Sequence, residues 1–502
     1  MEDKLSKRYL IKLIANLVST LAGAGMIAFV PSSLGPLAYG KFIYIQKFFS
    51  EFFNFIDMGS SAAFFIKLSA QPKRKELTLF YLVISCLIFF LGLLALIVIA
   101  LFELDSILLP NIEMYYAYLG LFYLFMTWFS IIFIKISDAY AFTLKVEVIK
   151  ILYKVLSFIF LILLVAYNIL DLEMFLWFQI ITIGIYLVFL ISFLYRKKNI
   201  FIFKKNLLTK LVFKKIFLEF KEFCSPLIIH SLIVVFVNIF DIWILQSVSG
   251  TEQLAFYGIA FQISAIGFMV TNAMTPIITR EFSKYYELND INQIRRLFVR
   301  YIPMLFSMST IFAVFIIFQS ENILLIFTDR RYEDAKYPLI IMSFFFTYHI
   351  NIKLIGSLLF AYHKTIVFRN IGVFYMFLGI LLSVIFVYLT KSGATGLAIK
   401  MLLSQFIGSA LIMTYACRLI KLNVYKQFKH QFLVLICFLI IGYLSFLITF
   451  NVENLFINIT LYSIVYSLIL LISIYFFPSL FSLNKKEIMS TLTKLKSKYV
   501  KA

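Results

Sequence analysis

Apolar segments of about 20 residues fill most of this 502-residue chain and leave only short polar stretches between them. An α-helix of that length crosses the hydrocarbon core of a bilayer. Helices suit lipid because each one pairs its backbone polar groups within the segment. We therefore predict an all-α polytopic membrane protein with about 14 transmembrane helices. The segments lie at residues 11–30, 42–66, 79–102, 114–136, 150–168, 173–194, 224–247, 254–279, 300–320, 338–360, 366–389, 394–417, 431–450 and 455–477.

The composition excludes several classes of protein. The chain is 62% hydrophobic and 14% charged, whereas soluble domains are about 45–50% apolar and about 25% charged. Its net charge of +21 comes from lysines and arginines clustered between the apolar segments, which is a pattern of membrane topology rather than of nucleic-acid binding. The four cysteines form no CxxC pair and the four histidines show no metal-ligand spacing. We expect no nucleic-acid partner, no disulfide framework, no metal and no other cofactor.

The distribution of basic residues predicts the orientation of the chain. If the N-terminus is cytoplasmic, 38 of the 46 lysines and arginines lie in the cytoplasmic loops and termini or at the adjoining ends of the apolar segments. Excess Lys and Arg in cytoplasmic loops is the usual rule for membrane proteins. We therefore expect both termini to be cytoplasmic, and we expect the first segment to be retained as a helix rather than cleaved as a signal peptide.

The longest predicted cytoplasmic stretch, residues 196–221, divides the chain into parts. Its residues alternate lysines with apolar side chains at helical spacing, which predicts a basic amphipathic helix on anionic membrane lipids. A weak internal repeat supports two halves, because Tyr39-Gly40 follows the first segment and Tyr257-Gly258 follows the seventh. The predicted parts are an N-terminal lobe (1–195), the linker (196–221), a C-terminal lobe (222–421) and a last pair of helices with a basic tail (422–502).

The second segment carries an unusual polar stripe. On a helix of 100° per residue its polar residues share one face. Each intramembrane charge costs about 2.5–3.5 kcal/mol on insertion scales, so this face should line a water-filled cavity. The alternative is a set of hydrogen bonds that only holds helices together. The stripe comprises Gln46, Lys47, Ser50, Glu51, Asn54, Asp57 and Ser61.

Polar residues within the second half add further candidates. Asn238 and Asp241 share a face of the seventh segment, and Asp241 is either a proton or cation site or a structural residue. His349 and Lys353 lie one turn apart in the tenth segment. Lys400 in the twelfth segment either joins them or reaches an interface with its long side chain. A cavity that holds Lys47, Lys353 and Lys400 would suit an anion.

No enzyme motif accompanies these residues. The chain contains no GxxxxGK[ST] nucleotide loop, no HExxH and no GxSxG sequence. We therefore expect a transporter that does not itself hydrolyse ATP, and no enzyme.

The sequence around the first two segments is similar to that of a known family. The run Leu34-Gly35-Pro36-Leu37-Ala38-Tyr39-Gly40, followed by Asp57-Met58-Gly59, resembles Wzx-type polysaccharide flippases of the multidrug/oligosaccharidyl-lipid/polysaccharide exporter superfamily. The resemblance implies two six-helix lobes around a central cavity, two extra C-terminal helices and alternating access. It also implies an undecaprenyl-pyrophosphate-linked oligosaccharide as substrate, moved to the outer leaflet of the bacterial inner membrane for surface polysaccharide (O-antigen) biosynthesis.

The resemblance assigns roles to the polar residues. The expected cavity residues for pyrophosphate and glycan are Lys47, Glu51, Asn54, His349, Lys353 and Lys400. The expected coupling residues for H+ or Na+ are Asp57, Asn238 and Asp241. Other polysaccharide-assembly proteins are expected partners. A related flippase for the peptidoglycan precursor holds pyrophosphate with cavity arginines, but the first two segments here contain no arginine after Arg8, which disfavours that substrate.

Two alternatives remain open from the sequence. A cation-coupled multidrug exporter of the same superfamily would favour acidic and aromatic cavity residues over lysines. A membrane glycan polymerase or ligase would resemble chains with one large basic external loop. The largest predicted external loop here, residues 320–338, is short and nearly neutral.

Overall fold

The computed structural model describes residues 5–57, 59–71, 74–140, 142–196 and 209–482, which form α-helices joined by short turns. Twelve helical stretches in this part of the chain are long and apolar enough to cross a membrane. The predicted all-α polytopic fold is therefore confirmed. The helices α1 to α16 are Leu5–Asp57, Ser60–Ala70, Lys75–Leu101, Asp105–Leu108, Met114–Ala139, Thr143–Ala166, Leu172–Arg196, Lys210–Ser249, Thr251–Ser264, Phe268–Glu287, Ile291–Phe327, Lys336–Ala361, Thr365–Ser383, Gly393–Leu419, Val424–Thr449 and Leu455–Phe476.

Helix α1 is too long to be one straight span. Its 53 residues would extend about 80 Å at 1.5 Å per residue, more than twice the hydrocarbon thickness. The helix breaks at Gly35, where φ is 76° and ψ is 167°, a conformation that is essentially restricted to glycine. Pro36 follows and has no backbone N–H to leave unpaired. The two arms, residues 5–34 and 36–57, correspond to the first predicted segment and to the start of the second.

Two predicted segments are not continuous helices. The second ends as part of α1 at Asp57, and after Gly59 (φ 80°) the chain continues as α2. The predicted eighth segment, 254–279, is divided by a 3-10 turn at Ala265–Gly267 between α9 and α10. The described residues therefore contain 12 candidate spans rather than the 14 predicted. The first two predicted segments both include parts of α1, which counts as one span. The interrupted eighth segment contains no helix that is both long and apolar enough to cross a membrane.

The described contacts divide the chain into two compact units, Met1–Ala255 and Phe256–Ala502. In the first unit α6 packs along α1, α7 packs on α5, and α8 contacts α1. In the second unit α12 packs on both α11 and α14, α13 packs on α14, and α15 packs on α11. The lobe boundaries given by the sequence, 1–195 and 222–421, stay a prediction.

The predicted amphipathic linker continues directly into the seventh segment. Thr209 caps α8 by accepting a hydrogen bond from the Val212 N–H at 3.4 Å, and the helix then runs unbroken for 40 residues. Phe220 packs on Phe80 of α3, with ring centroids 5.3 Å apart, whereas Leu211 is exposed. One face of this segment is thus covered by protein. The remainder of the predicted linker, 197–208, and the tail, 483–502, lie outside the described residues.

Glycine conformation supports the internal repeat. Gly250 separates α8 from α9 with φ 91° and ψ 170°, the same backbone conformation as Gly35. At both places two helices are joined by one glycine. Gly40 lies so close to the backbone of Thr251 that an added Cβ would overlap its carbonyl oxygen.

Candidate functional site

The first unit joins two predicted polar stripes into one cluster. Lys47 and Glu51 lie on one face of α1, and Asn238 and Asp241 lie one turn apart on α8. The Asn238 amide donates a hydrogen bond to Glu51 Oε1 at 3.1 Å. Lys47 interacts electrostatically with both Asp241 and Glu51, and Asn54 hydrogen-bonds to Glu51.

This cluster combines two carboxylates with one ammonium. Asp241 is only 5% exposed, and Lys47 of α1 lies close enough to interact with it electrostatically. An ion that loses its hydration needs such a counter-charge to stay ionised. The arrangement suits exchange of a proton or a small cation, because neutralising one carboxylate leaves Lys47 with the other. Lys47, predicted for substrate, thus lies beside the predicted coupling residue Asp241.

Asp57 occupies a separate cluster at the break between α1 and α2. Its carboxylate accepts hydrogen bonds from the Ser61 N–H at 3.0 Å, from the Ser61 hydroxyl at 2.7 Å, from Ser60 and from Tyr81 at 3.1 Å. Lys135 of α5 donates to the Ser61 hydroxyl. Asp57 therefore caps the N-terminus of α2, where a negative charge is stabilised. Its role in coupling stays a prediction.

In the second unit, His349 and Lys353 lie together on α12. The His349 Nδ1 and the Gln405 amide of α14 are 3.0 Å apart, and Lys353 interacts electrostatically with His349. Lys353 is exposed although most of its neighbours on α12 are buried. Because an ammonium is costly in lipid, an exposed lysine within a membrane-spanning helix indicates an open, polar space on that side of α12.

Lys400 packs against α13, and its contact with substrate stays a prediction. It is 2% exposed, and its Cε would lie 2.9 Å from a Cβ added to Gly379 of α13. Positions 400 and 405 are about 140° apart on α14, so Lys400 is directed to α13 while Gln405 reaches His349. Its side chain is enclosed between helices, which disfavours the alternative that it reaches an interface.

Sequence reasoning missed three charged residues on α6. The predicted fifth segment, 150–168, leaves out Glu147 and contains Lys150 and Lys154, to which no role was given. The helix begins at Thr143, so all three lie inside it. The Glu147 carboxylate is buried and lies 3.6 Å from the Lys150 ammonium. Their spacing of three and four residues, which places them on one helix face, was the signal that could have found them.

An ion-pair network ties the N-terminal part of α8 to α2 and to the turn before α3. Glu219 lies 3.1 Å from Lys67 and 3.3 Å from Arg74. Partial burial alone would raise the pKa of Glu219, but hydrogen bonds and charges of Arg74 and Lys67 outweigh it and lower that pKa below its ordinary value.

Comparisons with known proteins identify similar sequences and folds. A family model described as polysaccharide biosynthesis protein matches residues 5–282, and the MatE model matches residues 226–389. No curated protein matches the chain by sequence.

Among solved structures, the chain is similar to the lipid II flippase MurJ in an inward closed conformation, with a TM-score of 0.67 and 13% identity over 94% of this chain and 99% of that one. It is also similar to an inward-facing multidrug resistance MATE family transporter of the MOP superfamily, with a TM-score of 0.63 and 14% identity over 84% and 95%. A MOP superfamily transporter from Pyrococcus furiosus has a TM-score of 0.54 and 13% identity over 83% and 95%. At these identities the likeness concerns the fold.

Proposed function

Because the chain belongs to the polysaccharide biosynthesis protein family, whose model matches more than half of it, we propose that it is a flippase for a lipid-linked oligosaccharide. The substrate is a glycan on undecaprenyl pyrophosphate, moved from the cytoplasmic to the outer leaflet of the bacterial inner membrane for surface polysaccharide biosynthesis. The observation that carries this proposal is the exposure of Lys353. This lysine lies on α12, and most of the residues around it on that helix are buried. An exposed ammonium within a span favours an anionic substrate group over a cationic drug.

The charge of the substrate gives the direction of transport. A pyrophosphate that leaves the cytoplasm carries negative charge outward, and an inside-negative potential favours this by about 2.3 kcal/mol per charge per 100 mV. Alternating access then requires the empty carrier to reset. Lys353 and His349 supply the contacts with pyrophosphate and glycan in the second unit, and Lys47 with Asn54 supplies those in the first.

The cluster around Asp241 couples this cycle to H+ or Na+. When a proton or cation neutralises Asp241 or Glu51, Lys47 loses one of its two counter-charges and becomes a stronger partner for phosphate. Loss of that ion returns Lys47 to the carboxylates and releases the substrate. Asn238 holds Glu51 in place for this exchange, and Asp57 responds through Lys135 and the break at Gly59.

A multidrug exporter is the second candidate, and the MatE match over residues 226–389 favours it. The two functions differ in the sign of the substrate charge. An exporter of cationic drugs would use the two carboxylates of the Asp241 cluster for its substrate, and Lys353 would repel it.

A leaflet-accessibility assay separates the candidates. Purified protein is placed in sealed liposomes with a polyprenyl-pyrophosphate glycan that carries a fluorescent sugar, and an impermeant quencher is added outside. Quenching beyond the outer-leaflet fraction, only when the protein is present, supports the flippase. Quenching that stops at this fraction for every glycan, together with export of a cationic dye down a proton or sodium gradient, refutes it and supports the exporter.

A further inference from the structure

The connection between α3 and α5 is held by side chains of α1 and α8. It comprises residues 102–113 and contains the short helix α4, and we call it the strap. Leu109 and Ile112 of the strap are buried, whereas Ile107 and Leu108 are exposed. One side of the strap is therefore covered by protein and the other side is open.

Helix α1 anchors the strap at two points. The Tyr44 hydroxyl donates a hydrogen bond to the Leu108 carbonyl oxygen at 2.7 Å, and the Tyr44 side chain is buried. One turn earlier on α1, the Lys41 ammonium lies 3.3 Å from the carboxylate of Glu113 at the end of the strap. The hydroxyl is the stronger anchor, because losing a buried hydrogen bond is costly, whereas an exposed ion pair adds little.

Helix α8 anchors the same strap. The Trp243 indole N–H donates a hydrogen bond to the Ile107 carbonyl oxygen at 2.6 Å. The Gln246 side-chain amide donates to the Pro110 carbonyl oxygen, and Gln246 is buried. Because the donors belong to two helices and the acceptors to one short segment, the strap joins α1 to α8.

The anchors lie close to the cluster of Lys47 and Asp241. Tyr44 precedes Lys47 by three residues on α1, and Gln246 follows Asp241 by five residues on α8. At 1.5 Å per residue, these steps are about 5–8 Å along the helix axes. Both steps lead toward the glycines at which these helices break, so the anchors lie between the cluster and the helix ends that the sequence predicts to be external.

The strap can leave this position without unfolding a long helix. Helix α4 has four residues, and φ angles of 54° at Glu103 and 60° at Asn111 turn the chain on either side of it. Short segments with few buried side chains open at a lower free energy than packed helices. Because α1 and α8 supply the donors, separating these two helices breaks the same hydrogen bonds.

We propose that the strap is a gate that closes one end of the space between α1 and α8 and controls the access of water and ions to Asp241 from that end. With the strap in place, the two helices are held together there and Asp241 is buried. Release of the strap admits water and an ion. This inference rests on the proposed function and deepens it, because alternating access requires the coupling cluster to be closed on one side of the membrane at a time.

Carbodiimide labelling of Asp241 tests the gate in the purified full-length protein in lipid nanodiscs. A water-soluble carbodiimide with an amine nucleophile converts accessible carboxyl groups to amides, and mass spectrometry measures the rate at each site. Tyr44→Phe and Trp243→Phe each remove one hydrogen bond to the strap and keep an aromatic ring, and the double variant removes both. Amide hydrogen exchange over residues 102–113 reports release of the strap separately.

Matched variants remove the same kinds of hydrogen bond elsewhere. Tyr466→Phe is the control for tyrosine, because Tyr466 donates to the Ile311 carbonyl oxygen at 3.1 Å in the second unit. Trp177→Phe is the control for tryptophan, because the Trp177 indole donates to the Tyr115 hydroxyl at 3.3 Å. Asp57, which belongs to a separate cluster, is the internal control for labelling.

We expect each single strap variant to accelerate the labelling of Asp241 and the double variant to accelerate it about tenfold or more. Exchange over residues 102–113 should rise in parallel. Labelling of Asp57 and both control variants should match the wild type. The single variants carry the test by themselves if the double variant does not fold.

Three results would overturn the gate. Faster exchange over residues 102–113 with unchanged labelling of Asp241 would leave the strap a structural element only. Equal acceleration at Asp57 would indicate general loosening of the first unit. Unchanged exchange in every strap variant would show that these hydrogen bonds do not hold the strap.

The test uses no substrate and is therefore independent of transport. If the wild type moves no glycan lipid but labelling of Asp241 follows release of the strap, the proposed flippase function fails and the gate stands. If the wild type flips the glycan lipid but the strap variants label Asp241 as the wild type does, only the gate fails.

Discussion

At the scale of single residues, the charged side chains of the first unit are arranged opposite one another on neighbouring helices. Lys47 of α1 faces Asp241 of α8, and Lys135 of α5 reaches Ser61 beside Asp57. Removing one member of a buried pair is more costly than removing both, because the remaining charge keeps its desolvation penalty. The pairs therefore hold the helices in register and at the same time provide groups that can exchange ions.

Lys47 and Asp241 should be thermodynamically coupled. We expect Lys47→Gln to lower the free energy of unfolding by about 3 kcal/mol, and the double variant with Asp241→Asn to recover about 1–3 kcal/mol relative to the sum of the single variants. Reversible unfolding in mixed micelles measures all four proteins. The exposed pair Lys41–Glu113, 3.3 Å apart, is the control and should couple by less than about 1 kcal/mol. Equal coupling energies in both pairs would contradict this assignment.

At the scale of helices, the breaks in α1 and between α1 and α2 set the shape of the first unit. Gly35 turns the chain from one arm to the next, and Gly59 interrupts the second predicted segment beside Asp57. A break in a helix leaves backbone groups without partners, and a carboxylate can cap them. Here the capping group is Asp57, so the break and the polar cluster form one feature.

Replacing Gly35 tests the role of the first break. A residue with a Cβ is strained at φ 76° and ψ 167°, by about 1–3 kcal/mol. We expect Gly35→Ala to lower the thermal unfolding temperature in detergent. Gly23→Ala is the control, since Gly23 is helical and nothing lies within 4 Å of an added Cβ; it should be neutral or slightly stabilising. If both variants unfold at the same temperature as the wild type, the result would contradict the backbone conformation assigned to Gly35.

The Glu219 network should hold the N-terminal end of α8. We expect Glu219→Gln to increase amide hydrogen exchange over residues 210–221, because Lys67 and Arg74 lose their shared partner. Exposed Glu222 provides the control Glu222→Gln, which should exchange as the wild type does. Faster exchange in both variants would contradict the network.

The same network has a defined pH dependence. Because the folded pKa of Glu219 lies below its ordinary value of 4.5, its contribution to stability is complete well above pH 4.5 and decreases as the pH falls through the folded pKa. The difference in thermal stability between wild type and Glu219→Gln should therefore be full at pH 7 and shrink below about pH 4.5. A difference that grows on acidification would contradict this sign.

Apolar periodicity located most helices but not their interruptions. The predicted segment 114–136 corresponds to α5, Met114–Ala139, because long apolar runs have few alternatives in lipid. Gly35 lies between the predicted segments 11–30 and 42–66, whereas Gly59 lies inside the second of them. Packing rather than local sequence decides whether such a glycine leaves the helix.

The candidate site was only partly predictable for a similar reason. The helix faces of Lys47 and Asp241 follow from 100° per residue, but their meeting depends on which helices pack together. The predicted fifth segment begins at residue 150, after Glu147, because charged residues mark the usual end of a span. The structure instead begins α6 before Glu147, and Lys150 and Lys154 lie on the helix face that also carries this buried residue.

At the scale of the whole molecule, the repeat, the family and the charge distribution agree on one kind of protein. The glycine-linked helix pair at Gly35 recurs at Gly250, and the family match extends across both glycines over residues 5–282. The fold is shared with the lipid II flippase MurJ and with MATE transporters. These functions differ in the charge of the substrate that the intramembrane residues accept, and the proposed substrate is an anion.

The most direct test is the rate of glycan-lipid flipping under an imposed membrane potential. Sealed proteoliposomes with a potassium diffusion potential report movement of a fluorescent polyprenyl-pyrophosphate glycan away from the negative side. We expect the potential to accelerate the wild type and Lys353→Gln to slow it about tenfold, with exposed Lys364→Gln unchanged. Equal rates for Lys353→Gln and Lys364→Gln, or flipping that ignores the potential, would contradict the account.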